Sequence, residues 1–238
     1  MKKILLVAAI ASTFMAFAQE SETPTEGGTA NATEVQQIGI TAITTLRQSV
    51  IVAFSYEGVT ADKLVKTTNL TVGDELIAYK DTEYMSWILA EKEVEGVSVK
   101  VKYWMPYKDG NGNNLPEATT LNQAVGTGIW LRRATTPTEE YTFYVYGTPA
   151  TSKTITVAAG KTMLIGNPNS TPRSPTIAKA AAGDAIYIPN GSAFTKYTYG
   201  SNGSWNKGFT ALNNPPTFDA NTGAWYESKG TENVTIEW

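Results

Sequence analysis

Hydrophobic and polar positions alternate along most of this chain, and the apolar stretches are short. Ser98-Val99-Lys100-Val101-Lys102-Tyr103-Trp104 alternates polar with apolar, the pattern of a strand with one wet face. Residues 141–146 and Thr154-Ile155-Thr156-Val157 repeat that pattern, and Glu75-Leu76-Ile77-Ala78-Tyr79 follows a Gly73-Asp74 turn signal. Residues 50–54 form a brief apolar run rich in β-branched side chains, which fits a buried strand better than a helix. Asp109-Gly110-Asn111-Gly112 is turn chemistry, since Gly and Asn accept positive φ. Only residues 175–182, ended by Gly183, carry some helical potential, as a short surface helix or a loop. These patterns predict an all-β chain with little helix, built as β-sandwich or barrel-like units.

The two halves echo one another in order. Val72-Gly73-Asp74-Glu75-Leu76-Ile77-Ala78-Tyr79 resembles Ala182-Gly183-Asp184-Ala185-Ile186-Tyr187-Ile188. Thr127-Gly128-Ile129-Trp130-Leu131 resembles Thr222-Gly223-Ala224-Trp225-Tyr226. Each Gly-Asp element follows an apolar run, and each Trp element precedes a final alternating strand. The expectation is two related β-units, residues 35–150 and 151–238, with the Gly-Asp turns at equivalent places. Trp130 and Trp225 should then fill the same core slot in each unit.

The start of the chain points to export from a bacterial cell. Lys2 and Lys3 are followed by an apolar stretch over residues 4–17 and by Ala16-Phe17-Ala18, a small-x-small cleavage site. Residues 1–18 are therefore expected to be a signal peptide cleaved after Ala18, with the protein secreted, on the cell surface or in the periplasm. Residues 19–34 hold almost no apolar side chains and are expected to form a flexible linker. No later segment is apolar enough to cross a bilayer as a helix.

Composition narrows the chemistry. The chain has no cysteine and no histidine. That excludes disulfides, a lipidated cysteine, Ser-His-Asp and Cys-His catalysis, and the usual zinc, copper and haem ligands. Loss of Lys2 and Lys3 takes the net charge from −3 to −5, without a basic stripe, so nucleic acid is not an expected partner. Gly160-Lys161-Thr162 looks like the end of a phosphate loop, but Ile155 stands where the motif needs glycine. Asp109-Gly110-Asn111-Gly112-Asn113 spaces oxygen ligands as calcium loops do, but Asn114 and Thr120 replace the expected glycine and glutamate. Glu75, Asp81, Glu83 and Glu91 are acids a glycosidase could use, although spacing does not pair them across a cleft. The tryptophans Trp87, Trp104, Trp130, Trp205, Trp225 and Trp238 could instead stack on sugar rings, or pack the fold.

Leu164-Ile165-Gly166-Asn167-Pro168, Gly183-Asp184, Tyr197, Tyr199, Trp205 and Gly223-Ala224-Trp225-Tyr226 together resemble a repeat module of secreted and cell-surface bacterial proteins. That module opens on a GWNLIGNP-like strand and closes on a GxGFWY-like strand. The resemblance covers residues 160–238, and more faintly 50–147. It departs at Lys161-Thr162-Met163, where the module carries Gly-Trp-Asn. It implies an exported β-module and brings no activity with it.

The expectation is a non-enzymatic exported protein that binds or scaffolds at the cell surface or in the periplasm, with a glycan or a cell-surface protein as partner. No catalytic, cofactor or metal residues are assigned, and the ligand-binding residues stay open. The alternatives are a carbohydrate-binding module, an outer-membrane β-barrel, suggested by the aromatic end of Val234-Thr235-Ile236-Glu237-Trp238, and a small carboxylate-based glycan-active enzyme.

Overall fold

A computed structural model describes residues 39–45, 48–57, 59–60, 64, 70–80, 83–150, 153–190 and 193–238. The expected signal peptide, the linker and the start of the first unit at Val35 lie outside the described residues.

The described chain is all-β and antiparallel, and none of its sheets closes into a barrel. Its first half contributes β1 (Gly39–Thr45), β2 (Ser49–Val52), β3 (Tyr56–Glu57), β4 (Val59–Thr60), β5 (Glu75–Lys80), β6 (Glu83–Val94), β7 (Val97–Asp109), β8 (Asn122–Gln123), β9 (Ile129–Arg132) and β10 (Tyr141–Pro149). The second half contributes β11 (Thr154–Val157), β12 (Thr162–Gly166), β13 (Thr176–Ala178), β14 (Ala185–Asn190), β15 (Ala193–Tyr199), β16 (Trp205–Lys207), β17 (Thr210–Leu212), β18 (Gly223–Glu227) and β19 (Val234–Glu237). The stretch with helical potential forms no helix: residues 176–178 are the short strand β13, and the rest is loop, the other form expected for it. β13 pairs with β19, and Lys179 then turns the chain at φ 64°, so tertiary pairing overrides a weak local preference.

Each half is a sandwich around its own core. In the first, the sheet β1-β10-β3 covers the sheet β2-β9-β5-β6-β7. Tyr141 and Val145 of β10 meet Leu76, Ala78, Trp87, Leu89, Ile129 and Leu131. In the second, β11-β19-β13 covers β12-β18-β14-β15-β16-β17. There Ile155, Val157, Val234 and Ile236 meet Met163, Ile165, Ile186 and Tyr226. The last strand points its apolar side chains into this core, with Trp238 edge-on to Phe218 at 4.9 Å. The aromatic C-terminus thus serves interior packing and presents no lipid-facing surface.

The strand orders of the two larger sheets correspond position by position, β2-β9-β5-β6-β7 with β12-β18-β14-β15-β16. Register agrees with order. Trp130 stands opposite Ile51 and Ile77, and Trp225 stands opposite Leu164 and Tyr187. The Gly-Asp turns agree bond for bond. Gly73 and Gly183 have φ of 93° and 96°. Gly73 N–H donates to Leu89 O (2.9 Å), and Gly183 N–H donates to Tyr199 O (2.8 Å). Each aspartate carboxylate accepts a backbone N–H from three residues earlier, Thr71 at 2.9 Å and Ala181 at 3.0 Å. Each also accepts one from beyond the Trp strand, Ala134 at 2.9 Å and Lys229 at 2.6 Å.

Candidate functional site

Two places combine shape with unusual side chains: the junction between the sandwiches, and a polar cleft at its rim. The junction is built from the β-sheet faces turned away from the two cores. Alternation sends Leu131 and Tyr226 inward, so the preceding Trp130 and Trp225 point outward, toward the other half. The two rings meet edge to face, 5.5 Å apart at 86°. Tyr84 packs on Trp225 at 5.2 Å and on Tyr79 at 5.3 Å. Ile51 and Leu164 are buried yet belong to neither core, and in register they stand opposite Trp130 and Trp225. The expectation that both tryptophans fill core slots is therefore corrected. They occupy matching strand positions but are half-buried, and they close the contact between the sandwiches.

The backbones there approach closely. Val52 bridges to Thr222, and the corresponding pair Ile165 and Thr127 bridges too. Ala53 N–H donates to Asn221 O (3.1 Å), and Gly166 N–H donates to Gly126 O (2.9 Å). A contact from residue i to residue j is thus matched by one from the counterpart of i to the counterpart of j, as at a two-fold interface. Glycine is required at this contact. A Cβ on Gly128 would stand 2.8 Å from Ile51 Cγ2, and one on Gly223 would stand 2.7 Å from Ile165 O. Of the residues carrying the module resemblance, Gly166 and Gly223 provide this approach. Asn167, wholly buried, ties its loop by donating to Thr171 O, Phe218 O and Asp219 O.

The cleft, of about 500 Å³, is lined by Gln48, Ser49, Glu75, Arg132 and Arg133 among others. The Trp130 indole N–H donates to Ser49 Oγ, Arg132 pairs with Glu75, and the Arg132 guanidinium lies 6.0 Å from the Trp130 ring centre. Behind it, the buried Arg133 pairs with Asp74 at 2.7 Å and stacks on Tyr141 at 4.3 Å. Burial pushes the Tyr141 hydroxyl up to about 12, against the pull of Arg133. At the matching place in the second half, Tyr226 O–H donates to Asp184 (2.8 Å), and burial followed by that bond pushes its pKa well above the usual tyrosine value. On the surface nearby, hydrogen bonds from Lys229 and Tyr187 hold Glu227 below the usual carboxylate range.

The remaining sequence candidates resolve into structure. Four of the six tryptophans, Trp87, Trp104, Trp205 and Trp238, are buried, and no tryptophan ring stands fully exposed. The Asp109 carboxylate accepts from Asn111 N–H (2.9 Å), Asn113 N–H (2.7 Å) and the Asn113 amide (2.9 Å), so the calcium-like spacing builds a self-satisfied turn. Among the described residues no group of three acids is placed to hold a metal. Gly160 is a positive-φ turn between β11 and β12, with no helix after it to cradle phosphate. Glu75 lines the cleft, Glu83 and Glu91 lie on β6, and Asp81 lies outside the described residues. Among the described ones, Glu75 lies on β5 and Glu83 and Glu91 lie at opposite parts of β6. Sequence reasoning missed Gln48, Ser49 and Arg132, which carry no motif.

Asp109 yields a direct check. The Asn113 amide and the backbone N–H groups favour its ionised form, which lowers its pKa. A depressed folded value means that the contribution to stability is present above the unfolded value. It is lost as pH falls through the folded value. Carboxyl-detected NMR should show Asp109 titrating below about 3.9, the ordinary aspartate value, with the Asn111 and Asn113 amides shifting together. An ordinary midpoint would break this account of the turn.

The chain matches no family model, no curated protein and no solved structure.

Proposed function

We propose that this chain is an exported, non-enzymatic protein that binds or scaffolds at the cell surface or in the periplasm. Its body, residues 35–150 and 151–238, is two copies of one β-module fused in tandem. The observation that carries this reading is the matched junction: counterpart bridges, counterpart Gly-Asp turns and Trp130 set against Trp225. Related copies that bury corresponding faces against each other form one body that leaves exposed hairpins for attachment. The residue likeness to secreted and cell-surface repeat modules agrees with this. A binding or scaffolding role also agrees with where the acids go, since Asp74, Asp184, Asp109 and Glu227 are each committed to holding the chain's own groups. Fractionation of the source cells tests the reading. The protein should be recovered outside the cytoplasm with Gln19 as its first residue; a cytoplasmic protein retaining residues 1–18 would refute export.

The cleft supports a second reading, glycan binding. Gln48, Glu75 and Arg132 offer planar polar groups beside the half-buried Trp130, the combination of ring face and polar rim that sugars use. Glycan-array binding that disappears in Arg132→Ala, with the circular dichroism spectrum unchanged, is the expected result for that reading. Silence across the array counts against it.

A further inference from the structure

Among the described residues the most exposed large apolar side chain is Phe209, and the fold makes no use of it. β16 and β17 are joined by the two-residue turn Gly208-Phe209, closed by the Lys207–Thr210 pair. Gly208 has φ 61° and Phe209 a negative φ, the type II′ arrangement. Such a turn needs glycine at its first central position and asks nothing apolar of the second. Lys207, Gly208, Thr210 and Ala211 around the ring are exposed too, and a Cβ on Gly208 would meet no atom within 4 Å. β15 runs antiparallel to β14 and to β16, so the β14–β15 hairpin turns at this same end of the sheet. Tyr197 and Tyr199 of β15 pack on the core, so alternation turns Phe194 and Lys196 to the other face, with Phe194 about half exposed. Charge is uneven here as well. Residues 185–218 contain no Asp or Glu, in a chain of net charge −3, and their charged side chains are Lys196 and Lys207.

We propose that this end of the second sandwich docks on an anionic lipid bilayer, with the Phe209 ring entering the boundary between headgroups and acyl chains. Shape and charge together select this occupant. A ring on a two-residue turn, with exposed polar and small residues around it, offers a folded partner little apolar area to cover. A fluid boundary closes around such a ring from every side, and Phe beside Lys is the composition that settles there. A lysine stem runs along the apolar layer while its ammonium stays among the phosphates. Lys207 and Lys196 therefore bring positive charge to headgroup level, where anionic lipid attracts each of them. That attraction fades within a Debye length, so the end of the molecule free of acids is the end that faces the bilayer. Glu227, the acid carried by this sheet's own strands, is already engaged by Lys229 and Tyr187.

The lack of native cysteine lets one position be labelled at a time. The full chain carrying Thr210→Cys, labelled with an environment-sensitive dye, is titrated with vesicles of phosphatidylglycerol and, separately, of phosphatidylcholine. Asn111→Cys, on the exposed turn after β7 in the other half, reports binding through any other part of the chain, residues 4–17 included. The Thr210→Cys emission should shift to the blue with phosphatidylglycerol and stay unchanged with phosphatidylcholine, and the Asn111→Cys emission should stay unchanged with both. Adding Phe209→Ser or Lys207→Glu should raise the lipid concentration of the half-maximal shift by about tenfold or more, with the circular dichroism spectrum unaltered. No shift with phosphatidylglycerol would overturn the proposal and point to a protein partner for Phe209. An equal shift at Asn111→Cys, an equal shift with phosphatidylcholine, or an unchanged half-point in Phe209→Ser would overturn it as well. Any of these results would leave the tandem-module and export readings intact, because neither uses this tip.

Discussion

Replacing Asp74 with alanine is expected to remove about 3–5 kcal/mol of stability, the usual loss when one partner of a buried ion pair is deleted. The carboxylate has no exposure, and it accepts from Thr71 N–H, the Thr71 hydroxyl and Ala134 N–H while facing Arg133. Its loss strands a buried guanidinium and two backbone donors. Asp74→Ala combined with Arg133→Met should recover part of the loss, because no uncompensated charge then remains inside. Denaturant unfolding of the single and double variants checks this. A loss under about 1 kcal/mol for Asp74→Ala would show that the turn does not depend on the carboxylate.

The second large effect is expected at Gly223. Its missing Cβ is what lets β18 lie against Ile51 and the Ile165 carbonyl. Gly223→Val would press two further methyl groups into a space already closed by backbone. Overpacking of this kind costs typically 1–3 kcal/mol and occasionally more. We expect the upper end, about 3 kcal/mol, because a backbone carbonyl cannot swing aside as a side chain can. Gly160→Val is the control. That glycine has open space around its Cβ position, so only its φ of 65° opposes substitution. Equal losses at the two positions would remove close approach as the explanation.

Much of the strand content was legible because the one-sided strands alternate. Residues 154–157 and 75–79 were read nearly to the residue, and Gly73-Asp74 and Gly183-Asp184 announced their turns. β6 was not read. Its sequence, EYMSWILAEKEV, mixes helix formers with a broken alternation, and the register shifts between Met85 and Trp87. A bulge of this kind moves residues from one face to the other and blurs a period of two. The role of Trp130 was illegible for a related reason. Ile129, Trp130 and Leu131 are consecutive apolar residues on a strand buried on both faces, so alternation cannot say which face meets the core. The sequence echo located the tryptophans within their strands, whereas only tertiary structure reveals that they meet each other. The cleft residues could not be anticipated, because Gln48, Ser49, Glu75 and Arg132 come together through the pairing of β2 and β5 with β9.

The central claim is that the two halves are joined as counterparts through Trp130 and Trp225, and a double-mutant cycle across these residues tests it most directly. Trp130→Ala, Trp225→Ala and the double variant are compared by denaturant unfolding of the full chain. Edge-to-face rings in contact should give a coupling of about 0.5–1.5 kcal/mol, with a single cooperative transition in the unaltered protein. Losses that add to within about 0.3 kcal/mol, as they do for independent sites, would contradict the junction.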